Sequence, residues 1–349
     1  MSHTPRLIKK QTDLEQPIAL FWEMLYSFEY RKFLYSVEYR IKLSYTFYMK
    51  CYKCKNIISH NTQSIYGLHK QCFEEWFHPS DSTEFKNIDP KTNYSDPEHN
   101  EIKKKKDTFF HGRYLKYSAS LNETSYILKM QEDQYPELPA IEYLCNEIAN
   151  ILNIEVPAYF LINFNQRLTF VTRNFMQDYT GTLHHIYEYL PSGDENHSCE
   201  KIIKVILNET EKLSEVVKFI YICLFDALVG NNDRHGRNLG IIQTAHDKFL
   251  APMYDNPCFL GIEEESMLEA DYNISGSIWT KKSKEPKLLN YIKEFERLGY
   301  KEITDRFKSN VLTKTENIRQ TIERASLSHK RKGAFIKFFK KRMEDFKND

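Results

Sequence analysis

The residues best equipped for chemistry lie between Gly230 and Asp255, in the stretch GNNDRHGRNLGIIQTAHDKFLAPMYD. Asp233, His235 and Asn238 share one short loop, and Asp255 follows at the end of an expected hairpin. Phosphoryl transfer requires a group that orients the attacking hydroxyl, and cations, held by carboxylate and amide oxygens, that neutralise the β- and γ-phosphates. Asp233 can orient the nucleophile or accept its proton. Asn238, five residues on, can turn back to offer its amide oxygen to magnesium, and Asp255 can bridge metal and phosphates. His235 can brace the loop or meet a phosphate, and Arg237 can neutralise charge. Turn chemistry is the bland alternative, since Asn-Asn-Asp favours turns and a buried histidine often serves only backbone carbonyls. A turn needs one or two such residues, however, whereas this loop gathers Asn231, Asn232, Asp233, His235 and Asn238 between apolar segments. Ionised groups so close to a core need a cation or a function.

These residues need elements to position them. Leu213, Val216, Val217, Ile220, Leu224 and Leu228 recur at helical spacing over 211–229, so a buried helix is expected to deliver the loop, with Gly230 as its stop. Upstream, GRYLKYSASLNETSYILKM (112–130) alternates as a strand, a turn of small hydroxyl residues and a second strand that projects Lys129 toward the phosphates. No glycine stands between Ser118 and Ser125, and an ordinary hairpin reads alike. Residues 136–153 predict a helix with Pro139 in its first turn. Its Glu142 either pairs with Lys129 or is a carboxylate favoured by the N-terminal helix dipole, the second being preferred. Two strands around Asn165 follow, and HHIYEYLPSG (184–193) closes at Pro191 and Gly193 as a connector whose backbone suits an adenine edge. From Cys199 the pattern is helical. The last helix mixes Lys and Arg with Phe and Ile and is expected to pack on the core with a solvated face, an acidic partner or RNA being the alternative.

Cys51, Cys54, His69 and Cys72 have the spacing C-x2-C-x14-H-x2-C, which suits tetrahedral zinc (Zn2+); a knuckle in which packing replaces the metal is the alternative. Seven cysteines, an odd number, argue for reduced thiols over a disulfide framework. With 41% hydrophobic residues among 349, a buried core is assured, and 49 basic against 48 acidic side chains give the whole molecule no electrostatic preference for nucleic acid. No apolar run is long enough to span a membrane. A cytoplasmic location is expected, an exported effector being the alternative. The expected organisation is an extension of unknown role (1–48), the Cys/His knuckle (49–77), a linker or mobile loop (78–107), a β-rich lobe (108–193) and a helical lobe (194–349). Met49 also offers a natural translation start.

GNNDRHGRN (Gly230–Asn238) resembles the catalytic-loop pattern G-N-x-D-x-H-x-x-N of the HipA family of toxin–antitoxin serine/threonine kinases. LAPMYD (Leu250–Asp255) resembles its metal motif, YILK (Tyr126–Lys129) its ATP-lysine strand, and Tyr135–Pro157 the helix that follows, the likeness spanning roughly 110–260. It implies an α+β, two-lobed protein-kinase-like fold and use of ATP and Mg2+. Asp233 would be the catalytic base, Asn238 and Asp255 the magnesium ligands, Lys129 the phosphate lysine, and Glu188, Tyr189 and Leu190 the adenine-side connector, with His235 and Arg237 also near the nucleotide. Ser118-Ala119-Ser120 resembles the autophosphorylated serine loop of a shorter, HipT-like branch, although Leu121-Asn122 stand where that loop carries glycine. An antitoxin-type regulatory protein partner and a protein substrate, in studied branches an aminoacyl-tRNA synthetase, are implied by the resemblance; independently of it, no membrane and no direct nucleic-acid contact are expected. The alternatives are a small-molecule or lipid kinase of the same fold, and a lapsed kinase serving as a scaffold.

Overall fold

The computed structural model describes residues 49–59, 62–90, 115–190, 197–258 and 265–347. The expected N-terminal extension, the lysine run 103–106 and Pro191–Gly193 lie outside them. The chain divides into two compact units: Met1–Met49 with Ile57–Ser59, and Lys50–Asn56 with His60–Asp349. Among the described residues, the strands and helices lie in the second unit.

Its first layer is a five-stranded sheet. A two-stranded hairpin, β1 (Ser64–Ile65) and β2 (Leu68–His69), leads into helix α1 (Lys70–Phe77). The sheet strands are β3 (Lys86–Pro90), β4 (Leu115–Leu121), β5 (Thr124–Met130), β6 (Tyr159–Phe164) and β7 (Arg167–Arg173), antiparallel throughout in the order β3-β4-β5-β7-β6. Register pairs Lys116 with Lys129 and Lys129 with Phe170, so side-chain alternation puts both lysines on one face. The opposite face carries Tyr126, Leu128 and Phe160, all buried, and packs against the aromatic rings of Phe77 and Phe85.

Two sequence expectations change here. Lys86–Pro90 falls inside the stretch expected to be a linker, yet it is an edge strand, where a terminal proline is tolerated because no further ladder N–H is required. The hydroxyl-rich turn is likewise not a loop: Ser118 and Ser120 sit within β4, opposite Ile127 and Ser125. The chain reverses instead at Asn122 and Glu123, both at positive φ (46° and 68°), which produces a two-residue turn matched to strand twist. Asn122 further secures the turn by exchanging hydrogen bonds with the backbone of Ser82 at 3.1 and 3.0 Å.

Helix α2 (Leu138–Ile151) lies on the lysine face, with Pro139 in its first turn and Ile141, Leu144, Cys145 and Ile148 buried. The helical part comprises α3 (Cys199–Thr210), α4 (Leu213–Val229), α5 (Glu265–Leu268), α6 (Leu288–Arg297), α7 (Lys301–Arg324) and α8 (His329–Lys347). Helix α4 runs through its centre, burying Val216, Phe219, Ile220, Leu224 and Phe225 completely. Strands β8 (Gly181–His185), β9 (Gly240–Thr244) and β10 (Lys248–Leu250) form a small antiparallel sheet in the order β10-β9-β8. Strand β8, placed in the first lobe by sequence, thus pairs with the hairpin that follows the polar loop. The last helix packs on the core as expected. It also buries two of its basic residues, Arg331 and Arg342.

Candidate active site

Helix α4 stops because Gly230 adopts φ 77°, and a Cβ there would stand 2.8 Å from the Ile274 side chain. The loop beyond is built around Arg234, which is 2% exposed. Its Nε donates to Asp226 Oδ2 at 2.8 Å and its Nη2 to Asp226 Oδ1 at 3.1 Å, a bidentate pair one turn before the helix ends. The same guanidinium donates to the carbonyls of Asn238 (2.9 Å) and Tyr254 (2.6 Å) and to Asn256 Oδ1 (2.7 Å). One buried cation thereby ties helix, loop and the 250–255 strand end together. Asn231 donates to Asp226 at 2.8 Å and accepts from the Asp233 amide at 3.0 Å, completing the frame. Neither Arg234 nor Asp226 is among the site residues expected from the sequence. Their signal was an aspartate in an otherwise apolar helix turn, eight residues before an arginine in the loop.

This frame presents the expected residues. Asn238 donates from its amide nitrogen to the Asp233 carbonyl at 2.9 Å, which leaves the amide oxygen as its acceptor end. His235 braces the loop: its Nδ1 accepts from the Arg237 amide at 3.1 Å, and its Nε2 lies 3.8 Å from Asp233 Oδ1. Asp255, held at φ 57°, directs one carboxylate oxygen to Lys129 and the other to Lys116, at 3.5 Å. Lys129, 4% exposed, also ion-pairs with Glu142. Glu142 is therefore the orienting partner of Lys129 and not a helix-terminal carboxylate; it lies beyond the first turn of α2, on the side facing the sheet. Lys116, which the sequence did not single out, joins the cluster because strand register places it beside Lys129.

The electrostatics follow from burial. Asp233 is pushed up to about 7, first by desolvation and then by the charge of Asp255, while Arg234, Lys116 and Lys129 pull the other way. Burial opposes ionisation of Asp255 too, yet Lys129 and Lys116 hold its carboxyl well below the usual range. Burial alone would depress Lys129, and Asp255 and Glu142 raise it instead. The result is one firmly ionised carboxylate, a second near its midpoint at neutral pH, and an amide oxygen donor close by. That donor set fits a hard divalent cation, and a carboxyl near its midpoint fits proton acceptance.

The other expected residues sit at the margin. Arg237 lies with its guanidinium 5.8 Å from the Tyr187 ring centre, against the connector. Tyr254 donates to the Arg237 carbonyl at 3.0 Å and stands 3.4 Å from His185 Nδ1, so loop, strand end and connector meet there. Glu188 accepts from the His185 amide (3.0 Å) and from His184 (3.1 Å), capping the 3-10 turn Ile186–Tyr189. Tyr189 and Leu190 pack against the helical core. Ser118 and Ser120 lie on the lysine face of the sheet, their hydroxyls directed to the carbonyls of Asp89 (3.4 Å) and Lys86 (3.3 Å).

A family model described as the HipA-like C-terminal domain matches residues 89–329, more than half of the chain. The chain belongs to that family. The matched span of this HipA-like protein includes Lys129, Glu142, Asp233, Asn238 and Asp255 and leaves the knuckle cysteines outside it. It is 31% identical over 152 residues to a Haemophilus influenzae protein whose name assigns it provisionally to the kinases; the match covers 38% of this chain, which spans 44% of the length of that relative. Among solved structures, the proinflammatory kinase CtkA of Helicobacter pylori is similar with a TM-score of 0.55 at 16% identity, over 68% of this chain and 90% of that one. HipA of Shewanella oneidensis MR-1, solved with HipB and operator DNA, is similar with a TM-score of 0.50 at 13% identity, over 68% and 61% respectively. The α+β, two-lobed kinase-like fold is that of these proteins.

Proposed function

We propose that this HipA-like chain is an ATP- and Mg2+-dependent protein kinase that transfers the γ-phosphate to a serine or threonine hydroxyl of a protein. The observation that carries this reading is the junction of Lys129, Glu142, Lys116 and Asp255 beside a half-buried Asp233. Asn238 and Asp255 are the residues that would hold magnesium, which when bound supplies charge neutralisation at the phosphates. Lys129, oriented by Glu142, and Lys116 add positive charge from the sheet above. Asp233 takes the proton of the substrate hydroxyl as its oxygen bonds to the γ-phosphorus and the bond to the β-γ bridging oxygen breaks, releasing ADP. Backbone groups of Glu188, Tyr189 and Leu190 serve the adenine edge.

Ser118 and Ser120 share a sheet face with Lys116 and Lys129, so phosphate on either would set negative charge against the nucleotide and disfavour its binding. An antitoxin-type protein is the regulatory partner in this reading, as HipB accompanies the Shewanella HipA. The expectation of no nucleic-acid contact draws no support from that relative, whose assembly contains operator DNA. Among the described residues no helix is long and apolar enough to cross a membrane.

Incubation with γ-labelled ATP and magnesium, alone and with cell lysate, tests the proposal. Wild type is expected to label itself and at least one lysate protein, and Asp233→Asn to lose at least about a hundredfold in rate while remaining folded. ATP consumption that depends on a small molecule with no labelled protein would overturn the protein-kinase reading. No turnover of any kind would overturn the kinase reading itself.

A further inference from the structure

The knuckle that precedes the kinase-like fold has no part in the chemistry above and lies outside the span matched by the family model. All seven cysteines are free thiols. Four of them, Cys145, Cys199, Cys223 and Cys258, are buried in the helical core as small apolar residues. The remaining three, Cys51, Cys54 and Cys72, converge with His69 so that one donor atom from each lies within 4.8 Å of the others. The contact between Cys54 Sγ and His69 Nδ1 is 3.3 Å. Donors around tetrahedral zinc, with Zn–S of about 2.3 Å and Zn–N of about 2.0 Å, stand about 3.5–3.8 Å apart, so the four require only a small contraction.

The backbone is already shaped for this. Residues 52–54 form a tight turn closed by the Lys55 amide on the Cys51 carbonyl at 2.9 Å, and the amides of Cys54, His69 and Lys53 donate to the Cys51 sulfur. The two halves approach closely at Gly67: its carbonyl accepts from the Tyr52 amide at 3.3 Å, and at φ 77° a Cβ there would stand 2.7 Å from the Tyr52 ring. His69 is the N-cap of α1 and makes no side-chain capping bond, and Cys72 sits in the first turn of that helix.

We propose that Cys51, Cys54, His69 and Cys72 bind one structural Zn2+ in a closed Cys3His site. Four protein donors leave no open position for substrate, so the metal acts on the fold. It ties the Cys51–Cys54 turn to the β1-β2 hairpin and to α1, whose Trp76 and Phe77 pack on Phe160 at the back of the five-stranded sheet (ring centres 5.5 and 4.4 Å apart). The Tyr66 carbonyl also accepts from the Asn163 amide at 2.8 Å, joining hairpin and β6. Zinc therefore braces the sheet face opposite Lys129, and the site stands whether or not the chain transfers phosphate.

Elemental analysis of the full chain, purified without chelator, is expected to give one equivalent of zinc, unchanged in Asp233→Asn and lost in Cys54→Ser. Cobalt in place of zinc is expected to give the intense visible absorption of a tetrahedral thiolate centre. Less than about a tenth of an equivalent in the wild type overturns the proposal, as does a full equivalent retained by Cys54→Ser or the weak spectrum of octahedral cobalt. The wild-type count and spectrum decide the matter even where loss of the metal unfolds the variant.

Discussion

Asp233 is half-buried, and the charge of Asp255 adds to the desolvation that opposes its ionisation. Lys129 and Lys116 hold Asp255 ionised, while Asp233 is left with its midpoint raised from 3.8 to about 7. Because the folded state holds this proton more tightly than the unfolded chain does, the resulting stabilisation is fully present below about pH 4 and is lost as pH rises through 7. Asp233→Asn removes the penalty of the buried charge. In magnesium-free denaturation, the variant is expected to be more stable than wild type at pH 8, by about 2–4 kcal/mol, with the gap closing toward pH 4. A gap that is constant with pH would mean that Asp233 ionises in the fold as it does in water.

At the scale of elements, the loop after α4 keeps its shape through one buried ion pair, not through turn propensity. Arg234 satisfies Asp226, two backbone carbonyls and Asn256 at once. Arg234→Met is expected to cost about 3–5 kcal/mol, because Asp226 is left as an uncompensated buried charge. Asp226→Asn added to Arg234→Met should recover part of that loss, since the two residues are in contact and their effects do not add. Urea denaturation of the two single variants and the double variant measures the coupling; additive losses would contradict the Arg234–Asp226 pairing. The sheet shows the same principle in milder form. Ser118 and Ser120 belong to a strand because Ala119 and Leu121, which alternate with them, are buried and because β3 pairs along that edge.

Across the whole helical part, the last two helices hold α2 at both ends. Glu137, its N-cap residue, accepts from Ser328 Oγ at 3.0 Å and from the buried Arg331 Nε at 3.1 Å. At the other end Lys314 donates to the Ile151 carbonyl and Asn310 to the Leu152 carbonyl at 2.9 Å. The helix that carries Glu142 is thus positioned by residues about 160–190 further along the chain. Glu137→Ala is expected to lower stability by about 1–3 kcal/mol, since Arg331 loses a charged acceptor. Thermal denaturation checks the loss, and an unchanged midpoint would show that the clamp contributes nothing to the fold.

Much was legible in the residues alone. The apolar periods of 213–228 and 141–152 mark α4 and α2 because a buried helix face must recur every three to four residues. The density of Asn, Asp and His at 231–238 marks a loop that turn formation alone does not require. The C-x2-C and H-x2-C spacings mark the knuckle, since short loops bring such pairs together locally. Tertiary structure decided the pairings. Lys129 reaches an aspartate 126 residues away, Lys116 joins it through strand register, and Arg234 becomes the centre of the loop because packing seals it beside Asp226. Periodicity reports which face of an element is buried. Which charge meets which inside is set by how distant elements pack, and local spacing does not encode that.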